Sequence, residues 1–298
     1  MSYRCQFDQT QRLQGEIRAG AGSVGLRLDL FLGRILHDYT RASLQQLILQ
    51  RLVLVNGVPA KPGRRLRRDD QVLYNFPSVV RLETLPWAVD LRILFQDPWI
   101  IAVEKPCDMP VHPAAGTGNR SLLNGVRTLF SDSHINAVHR IDAETEGIVL
   151  FSRSVESARH LARQFHARSI KKYYLAWVMG CPPTRSGIIN KPLLRVDDNG
   201  HGAMTGQSQH ASTRYRVITS TISRSLLIIS PLTGRKHQIR RHLADLGCPV
   251  SGDPVYGQRR PGERMWLLAW RICFTHPATG RRMRLSAHLP HVYLQPAN

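Results

Sequence analysis

Between His139 and Phe151 the chain reads HRIDAETEGIVLF. One histidine, one arginine and the carboxylates Asp142, Glu144 and Glu146 precede a wholly apolar run, Ile148–Phe151. Carboxylates this dense can ligate a metal, form ion pairs, or act as a catalytic base, nucleophile or stabiliser of a developing cation. Their two-residue spacing is the period of a strand, and Gly147 interrupts it before a run that reads as a buried strand. The carboxylates are therefore expected on a loop or strand edge leading into a core strand, a common setting for chemistry held by a rigid scaffold. A metal site lacks third and fourth ligands at matched spacing, so no metal is expected. On the residues alone, an ion pair between Asp142 and Arg140 or Arg153 is the simpler reading, and a catalytic carboxylate stays open beside it.

The elements that must position this segment can be followed along the chain. Residues 1–20 show little periodicity and are expected to form a flexible arm. Leu28, Phe31, Leu32, Ile35 and Leu36 recur at helical spacing, and Leu44, Leu47 and Ile48 mark a second helix with Ser43 or Thr40 as its cap. Leu52–Val55 reads as a strand, Asn56-Gly57 as a hairpin turn, and Gln71–Phe76 as a further strand. A small domain over 21–77 follows, then a proline-flanked linker, 78–88, and a larger domain, 89–298. In the larger domain strands are expected at Arg92–Phe95, Ile100–Val103, Tyr173–Val178, Leu226–Ile229, Met265–Ala269, Ile272–Phe274 and Met283–Leu285. Helices are expected at Ser157–Ala167 and from Gly234 to Leu246. Strands and helices mix without regular alternation, so the fold class is α+β, with a mixed, mainly antiparallel sheet flanked by helices and loops.

Charge narrows the partner. The 298 residues hold 41 basic and 21 acidic side chains, for a net charge of +20, and the isoelectric point is near 10.8. Six of the cations are lysine and 35 arginine, the side chain suited to bidentate phosphate contacts and stacking on bases. Arg51, Arg64, Arg65, Arg67 and Arg68 cluster on and beside the hairpin, so a polyanion, nucleic acid first, is the expected partner. The five cysteines are scattered and odd in number, with no zinc-ligand spacing; a reduced, cytosolic protein is expected. No apolar run reaches membrane-spanning length. No GxxxxGK[ST] or HExxH motif is present, so no nucleotide or metal cofactor is expected.

Four segments carry a resemblance. They are EKPCDMPVHPA (Glu104–Ala114), the HRIDAETEG of the opening, IKKYYLAWVMG (Ile170–Gly180) and LTGRKHQIRRHLADLGCPVSGDPVYG (Leu232–Gly257). In this order and spacing they resemble the RluA family of RNA pseudouridine synthases over about 90–290. RLDLFLGRIL…TRASLQQLILQRLVLVNG similarly resembles the small S-four-like RNA-binding domain over about 26–76. The resemblance implies isomerisation of a uridine within RNA, ribosomal RNA ahead of transfer RNA, by a cytoplasmic monomer with no cofactor. A non-catalytic RNA-binding or assembly factor is the alternative of a different class.

The family implies roles for single residues. Asp142, in the HRLD-like HRID, is the essential carboxylate, able to stabilise or trap a sugar cation or to take a proton. Tyr174, in KxYxA, stacks on the uracil or moves a proton, with Lys172 on the same face. Arg235, in TGRKHQIR, is expected to pair with and orient Asp142. Arg140 fills the space left by the flipped base, Arg240 meets backbone phosphate, and Leu267 packs under the base. Four positions depart from the family pattern: Ile141 where leucine is usual, Ala143 after the aspartate, Asp108 where glycine is common, and Leu268 where histidine is common. Removing residues 1–80 is expected to leave a folded synthase domain whose RNA affinity is weaker and less steeply dependent on salt. An unchanged slope of log Kd against log salt in a filter-binding titration would exclude the arginine cluster as an RNA contact.

Overall fold

The computed structural model describes residues 3–7, 12–36, 39, 41–77, 87, 89–113, 120–196, 204–260 and 262–293. It divides into two units, Met1–Leu85 and Pro86–Asn298. The first contains β1 (Tyr3–Phe7), β2 (Arg12–Arg18), α1 (Leu28–Gly33), α2 (Arg41–Leu49), β3 (Val53–Val55), β4 (Val58–Pro59) and β5 (Gln71–Pro77). They form an antiparallel sheet in the order β1-β2-β5-β3-β4. Asn56 and Gly57 take φ of 53° and 77°, the two left-handed residues that a tight hairpin requires. The Asn56 side chain locks the turn, donating to Asp70 and accepting from the Gln71 N–H, both at 2.8 Å.

The expected flexible arm is corrected. β2 pairs with β5 from Arg12↔Pro77 to Arg18↔Gln71, and Ile17 and Ala19 are buried in the small core with Leu28, Phe31 and Val72. The segment has too few apolar residues to announce a strand, and β5 supplies the missing hydrogen-bond partners. Residues 8–11, Thr40 and most of the linker 78–88 lie outside the described residues, as does the Ser43 side chain. Arg51, Arg65, Arg67 and Arg68 are exposed and Arg64 is half-buried. Buried Asp70 accepts from the Arg67 N–H, which with Asn56 and the nearby arginines outweighs burial and lowers its pKa. The cationic loop is thus tied down at its backbone while most of its guanidinium groups face solvent.

The second unit contains β6 (Arg92–Gln96), β7 (Ile100–Lys105), α3 (Leu122–Phe130), β8 (Asn136–Ala137), β9 (Glu146–Ser152), α4 (Val155–His166), β10 (Lys171–Met179), β11 (Ser186–Ile189), β12 (Leu193–Val196) and β13 (Met204–Gln209). It continues with β14 (Thr213–Ser220), β15 (Arg224–Pro231), α5 (Gln238–Asp245), β16 (Leu267–Thr275) and β17 (Arg282–Ser286). The main sheet runs β11-β14-β15-β10-β16-β9-β7-β6, with β17 beside β16 and β8 beside β9; β12 and β13 form a separate hairpin. The central strands are covered on both faces. On β9, Val149 and Phe151 enter one apolar cluster while Ile148 and Leu150 enter the other. A strand buried on both faces reads as a continuous apolar run, which is why Ile148–Phe151 is legible in the sequence.

Several elements differ from expectation. The two strands expected at Met265–Ala269 and Ile272–Phe274 are one continuous strand, β16 (Leu267–Thr275). No element is expected over Leu122–Phe130, where α3 stands, and Asn124-Gly125 in its first half is a turn signal. Ser121 nevertheless caps it by accepting from the Asn124 N–H, and the helix packs so closely that a Cβ on Gly125 would lie 2.5 Å from Val89 Cγ1. Helix α5 starts four residues later than Gly234, since His237 is held at φ 52°.

Among the described strand pairs, β9 and β16 alone are parallel, meeting at Glu146↔Leu268 and Gly147↔Ala269. Gly147 has φ 110°, and a Cβ on it would lie 2.3 Å from the Ala269 carbonyl oxygen. The glycine that breaks the opening motif therefore lets two backbones touch. Gly147→Ala is expected to destabilise this unit by ~3 kcal/mol or more and lower Tm by about 6–12 °C. A Tm within about 2 °C of wild type would contradict this account.

Candidate active site

The loop carrying Asp142 is held from beneath by the EKPCDMP segment. Lys105, fully buried, donates through Nζ to the carbonyl oxygens of Ala143 (2.6 Å) and Pro106 (2.8 Å). Burial pulls the Lys105 pKa down to about 8, against the opposing pull of Cys107 and of Glu144, Glu146 and Asp142. The Cys107 thiol donates to Glu144 O at 3.1 Å, and the Met109 N–H to Ala143 O at 3.2 Å. Asp108, where the family commonly has glycine, takes φ 56°. The Thr145 N–H closes the loop on Asp142 O at 3.2 Å.

This turn breaks the two-residue period expected of the carboxylates. Asp142 and Glu144 face one guanidinium together, whereas Glu146 pairs with Arg264 Nη1 at 2.9 Å. The shared guanidinium belongs to Arg240 on α5, whose side chain is 0% exposed. It grips Asp253 with two hydrogen bonds, Nε to Oδ2 at 2.7 Å and Nη2 to Oδ1 at 2.8 Å. Its remaining nitrogen, Nη1, lies 3.4 Å from Asp142 Oδ2 and 3.2 Å from Glu144 Oε2. Burial works against the Arg240 charge, but Asp253 and the two loop carboxylates prevail and raise its pKa. Burial likewise opposes the Asp253 charge; hydrogen bonds from Arg240 and the Val255 and Tyr256 N–H groups hold its carboxyl below the usual range. Asp142 keeps 24% of its side chain exposed.

Two expectations are corrected here. Arg240, expected at backbone phosphate, is buried and engaged with carboxylates. Arg235, expected to pair with Asp142, donates through Nε to His210 O at 3.0 Å. It precedes α5, on the loop bent away by His237, while Arg240 lies inside the helix and reaches inward. Arg235 still borders the same cavity.

That cavity measures about 690 Å³ and brings together most of the other expected residues. Asp142, Ile141, Tyr174 and Leu267 line it, and Arg140, Arg168, Lys171, Lys172, Arg235 and Lys236 contribute cations. Tyr174 and Leu267 are buried in the same apolar cluster. Burial, with Asp142 nearby, pushes the Tyr174 hydroxyl well above its ordinary pKa, so it stays a proton donor. Tyr173 projects elsewhere, lining a separate hollow with Ile188 and Tyr215. Burial lowers the Lys172 pKa. Arg140 is exposed, and among the described residues no carboxylate pairs with it. His139 accepts the Leu150 N–H at Nε2 (3.0 Å), and burial drives its pKa to about 3, so it is a neutral prop for the loop. An ionisable floor of one carboxylate and one phenol, beneath an apolar wall and a cationic rim, suits a nucleotide whose base inserts while its phosphates stay outside.

Sequence reasoning left Lys105, Asp253 and Tyr256 without roles. Each lay inside a quoted motif, but Lys105 acts on a loop 38 residues further on, and Asp253 and Tyr256 act on the start of α5, 13 to 19 residues earlier. Arg240→Lys retains a charge but loses the planar fork, and is expected to cut turnover about 100-fold or more. Arg235→Gln is expected to weaken RNA binding while turnover stays within roughly 5-fold. Single-turnover kinetics on both variants check this; equal turnover losses would contradict the assignment.

The family profile for RNA pseudouridylate synthase matches residues 99–245, and that for the S4 domain matches 26–72. A protein of Aquifex aeolicus named as an uncharacterised RNA pseudouridine synthase is 33% identical over 288 residues, covering 90% of this chain and 91% of that one. The ribosomal large subunit pseudouridine synthase D of Nitrosomonas europaea is 32% identical over 282 residues, covering 89% of this chain and 82% of its own. The solved structure of human RNA pseudouridylate synthase domain containing 4 superposes with a TM-score of 0.56 at 25% identity, over 72% of this chain and 93% of that one. With an α+β synthase fold behind an S4 domain, and a relative one-third identical along nine-tenths of both sequences, the chain belongs to the RluA-type family of RNA pseudouridine synthases.

Proposed function

We propose that this isomerase acts on uridine in large-subunit ribosomal RNA, with Asp142 as its catalytic carboxylate. The observation that carries the site assignment is the setting of Asp142. It is the loop carboxylate that lines the cavity, with one oxygen directed to a buried guanidinium and a phenol in the same wall. The RNA assignment rests on the naming of relatives such as the Nitrosomonas europaea enzyme, supported by the exposed arginines of the S4 domain.

The reaction is an isomerisation. The bond from ribose C1′ to uracil N1 breaks, the base turns, and C1′ bonds to C5, whose proton is lost as N1 gains one. Positive charge that develops at C1′ is met by the Asp142 carboxylate. Arg240 positions that carboxylate, and Asp253 holds Arg240. Tyr174 offers an aromatic face and a protonated hydroxyl beside the base. Arg140, exposed at the cavity, occupies the place vacated in the RNA stack when the uridine turns out. Leu267 and Ile141 supply apolar surface against the ring, and the rim cations take the flanking phosphates.

The test is to incubate purified protein with unmodified large-subunit ribosomal RNA and, separately, transfer RNA, and to map pseudouridine. Ribosomal RNA is expected to be modified at defined positions. Asp142→Asn is expected to bind RNA with wild-type affinity and form no detectable pseudouridine, while Glu146→Gln, at a carboxylate paired elsewhere, retains turnover. Modification of transfer RNA alone would overturn the substrate proposal. An Asp142→Asn variant as fast as Glu146→Gln would overturn the catalytic one.

A further inference from the structure

The segment Gly252–Gly257 (GDPVYG) belongs to the motif that carries the family resemblance, but its tyrosine has no part in the chemistry described above. Tyr256 is anchored from two sides. Its N–H donates to Asp253 Oδ1 at 3.1 Å, and its ring lies beneath the Arg240 guanidinium, 5.4 Å from Cζ to centroid. Its hydroxyl is 3.1 Å from His237 Nδ1, and the two rings meet edge-on at 5.7 Å. His237 stands at the N-terminal boundary of α5 with φ 52°, a conformation uncommon outside glycine and found where a site imposes it. Its other ring nitrogen, Nε2, lies 4.0 Å from Asp142 Oδ1. Arg240 serves Oδ2 of the same carboxylate, so the two oxygens of Asp142 face two side chains from the first turn of α5.

We propose that His237, itself oriented by Tyr256, is a positioning residue for Oδ1 of Asp142. The inference rests on Asp142 being the catalytic carboxylate. The tautomer follows from the neighbours. An ionised carboxylate only accepts, so Nε2 carries the proton, and Tyr256 donates to Nδ1. A separation of 4.0 Å exceeds a hydrogen bond, and the contact closes when RNA fills the cavity, as catalytic contacts commonly do. The charged and titratable groups facing His237 are Asp142 and Glu144 on the loop, Lys236 and Arg240 on its own segment, and Tyr256. Burial lowers the His237 pKa, with Arg240 and Lys236 adding to it and the two carboxylates opposing. The imidazole is therefore neutral near pH 7. Protonation in acid would set a second full cation against Asp142 and diminish the negative charge available at C1′.

The test has an activity arm and an arm independent of activity. In single-turnover modification of ribosomal RNA, His237→Gln is expected to lose about 10- to 100-fold in rate, with RNA affinity and Tm near wild type. The wild-type rate should fall as pH drops below the usual histidine value of about 6.5, and this acid limb should be absent in His237→Gln. Tyr256→Phe should retain the limb with a lower plateau. An unchanged rate in His237→Gln, or a lower plateau with the wild-type acid limb intact, would overturn the proposal. In the RNA-free protein, nitrogen NMR of the His237 ring should report the Nε2–H tautomer. Asp142→Asn should lower its pKa, and Tyr256→Phe should shift the tautomer balance. A His237 titration unmoved by Asp142→Asn would overturn the proposal even if His237→Gln fails to fold. Should wild-type protein leave ribosomal RNA unmodified, the substrate reading fails while the NMR arm still decides this one.

Discussion

One buried guanidinium organises the synthase unit. Arg240 brings a full positive charge into a region without solvent, which is tolerable only because carboxylates surround it. Asp253 takes two of its nitrogens in a bidentate grip, and that grip fixes where the third must point. The third nitrogen addresses Asp142 and Glu144. A lysine could satisfy the charge but not this division of labour, because its ammonium has no planar fork. Asp253 also accepts from the Val255 and Tyr256 N–H groups, so the turn that holds Arg240 also sets the tyrosine next to His237.

The carboxylate loop is constrained from its other side by backbone contacts. Lys105 and Cys107 reach its carbonyl groups from below, and Gly147 lets the loop run directly into the parallel contact with Ala269. The loop is therefore fixed at its floor, at its exit and at its charged tip. Such restraint suits catalysis by positioning, in which the carboxylate does not need to reorganise as charge develops. Burial supplies the complement. Tyr174, Leu267 and Ile141 form a buried apolar wall, while exposed cations such as Arg140 stay at the rim, where phosphates would lie.

The two units divide the work along physical lines. The S4 unit presents exposed arginines on a loop whose backbone is secured by Asp70 and Asn56. Exposed cations of this kind meet phosphate in a way that salt weakens. At the synthase unit's centre one buried guanidinium is shared among three carboxylates, in a setting where each charge counts for more.

Much of this was legible in the sequence. The apolar run of β9, the Asn56-Gly57 turn, the arginine cluster and the ordered motifs are local features, and they sufficed for the fold class, the RNA partner and Asp142, Tyr174 and Leu267 as a group. What failed was whatever depends on a distant partner. β2 was unreadable because its stability comes from β5, and α3 because packing overrides the Asn-Gly in its first half. The alternating carboxylates suggested one strand face, but a turn stabilised from Lys105 sends Glu146 elsewhere. Above all, TGRKHQIR offers two inward candidates, Arg235 and Arg240, and spacing alone cannot choose between them. The choice is made by the left-handed His237, which delays the helix, and by Asp253, which draws Arg240 inward to a carboxylate 98 residues earlier in the chain. Residue type and local order determine which chemistry is available; burial and the geometry of a shared hydrogen-bond donor decide which side chain performs it, because both exist only once distant segments are packed together.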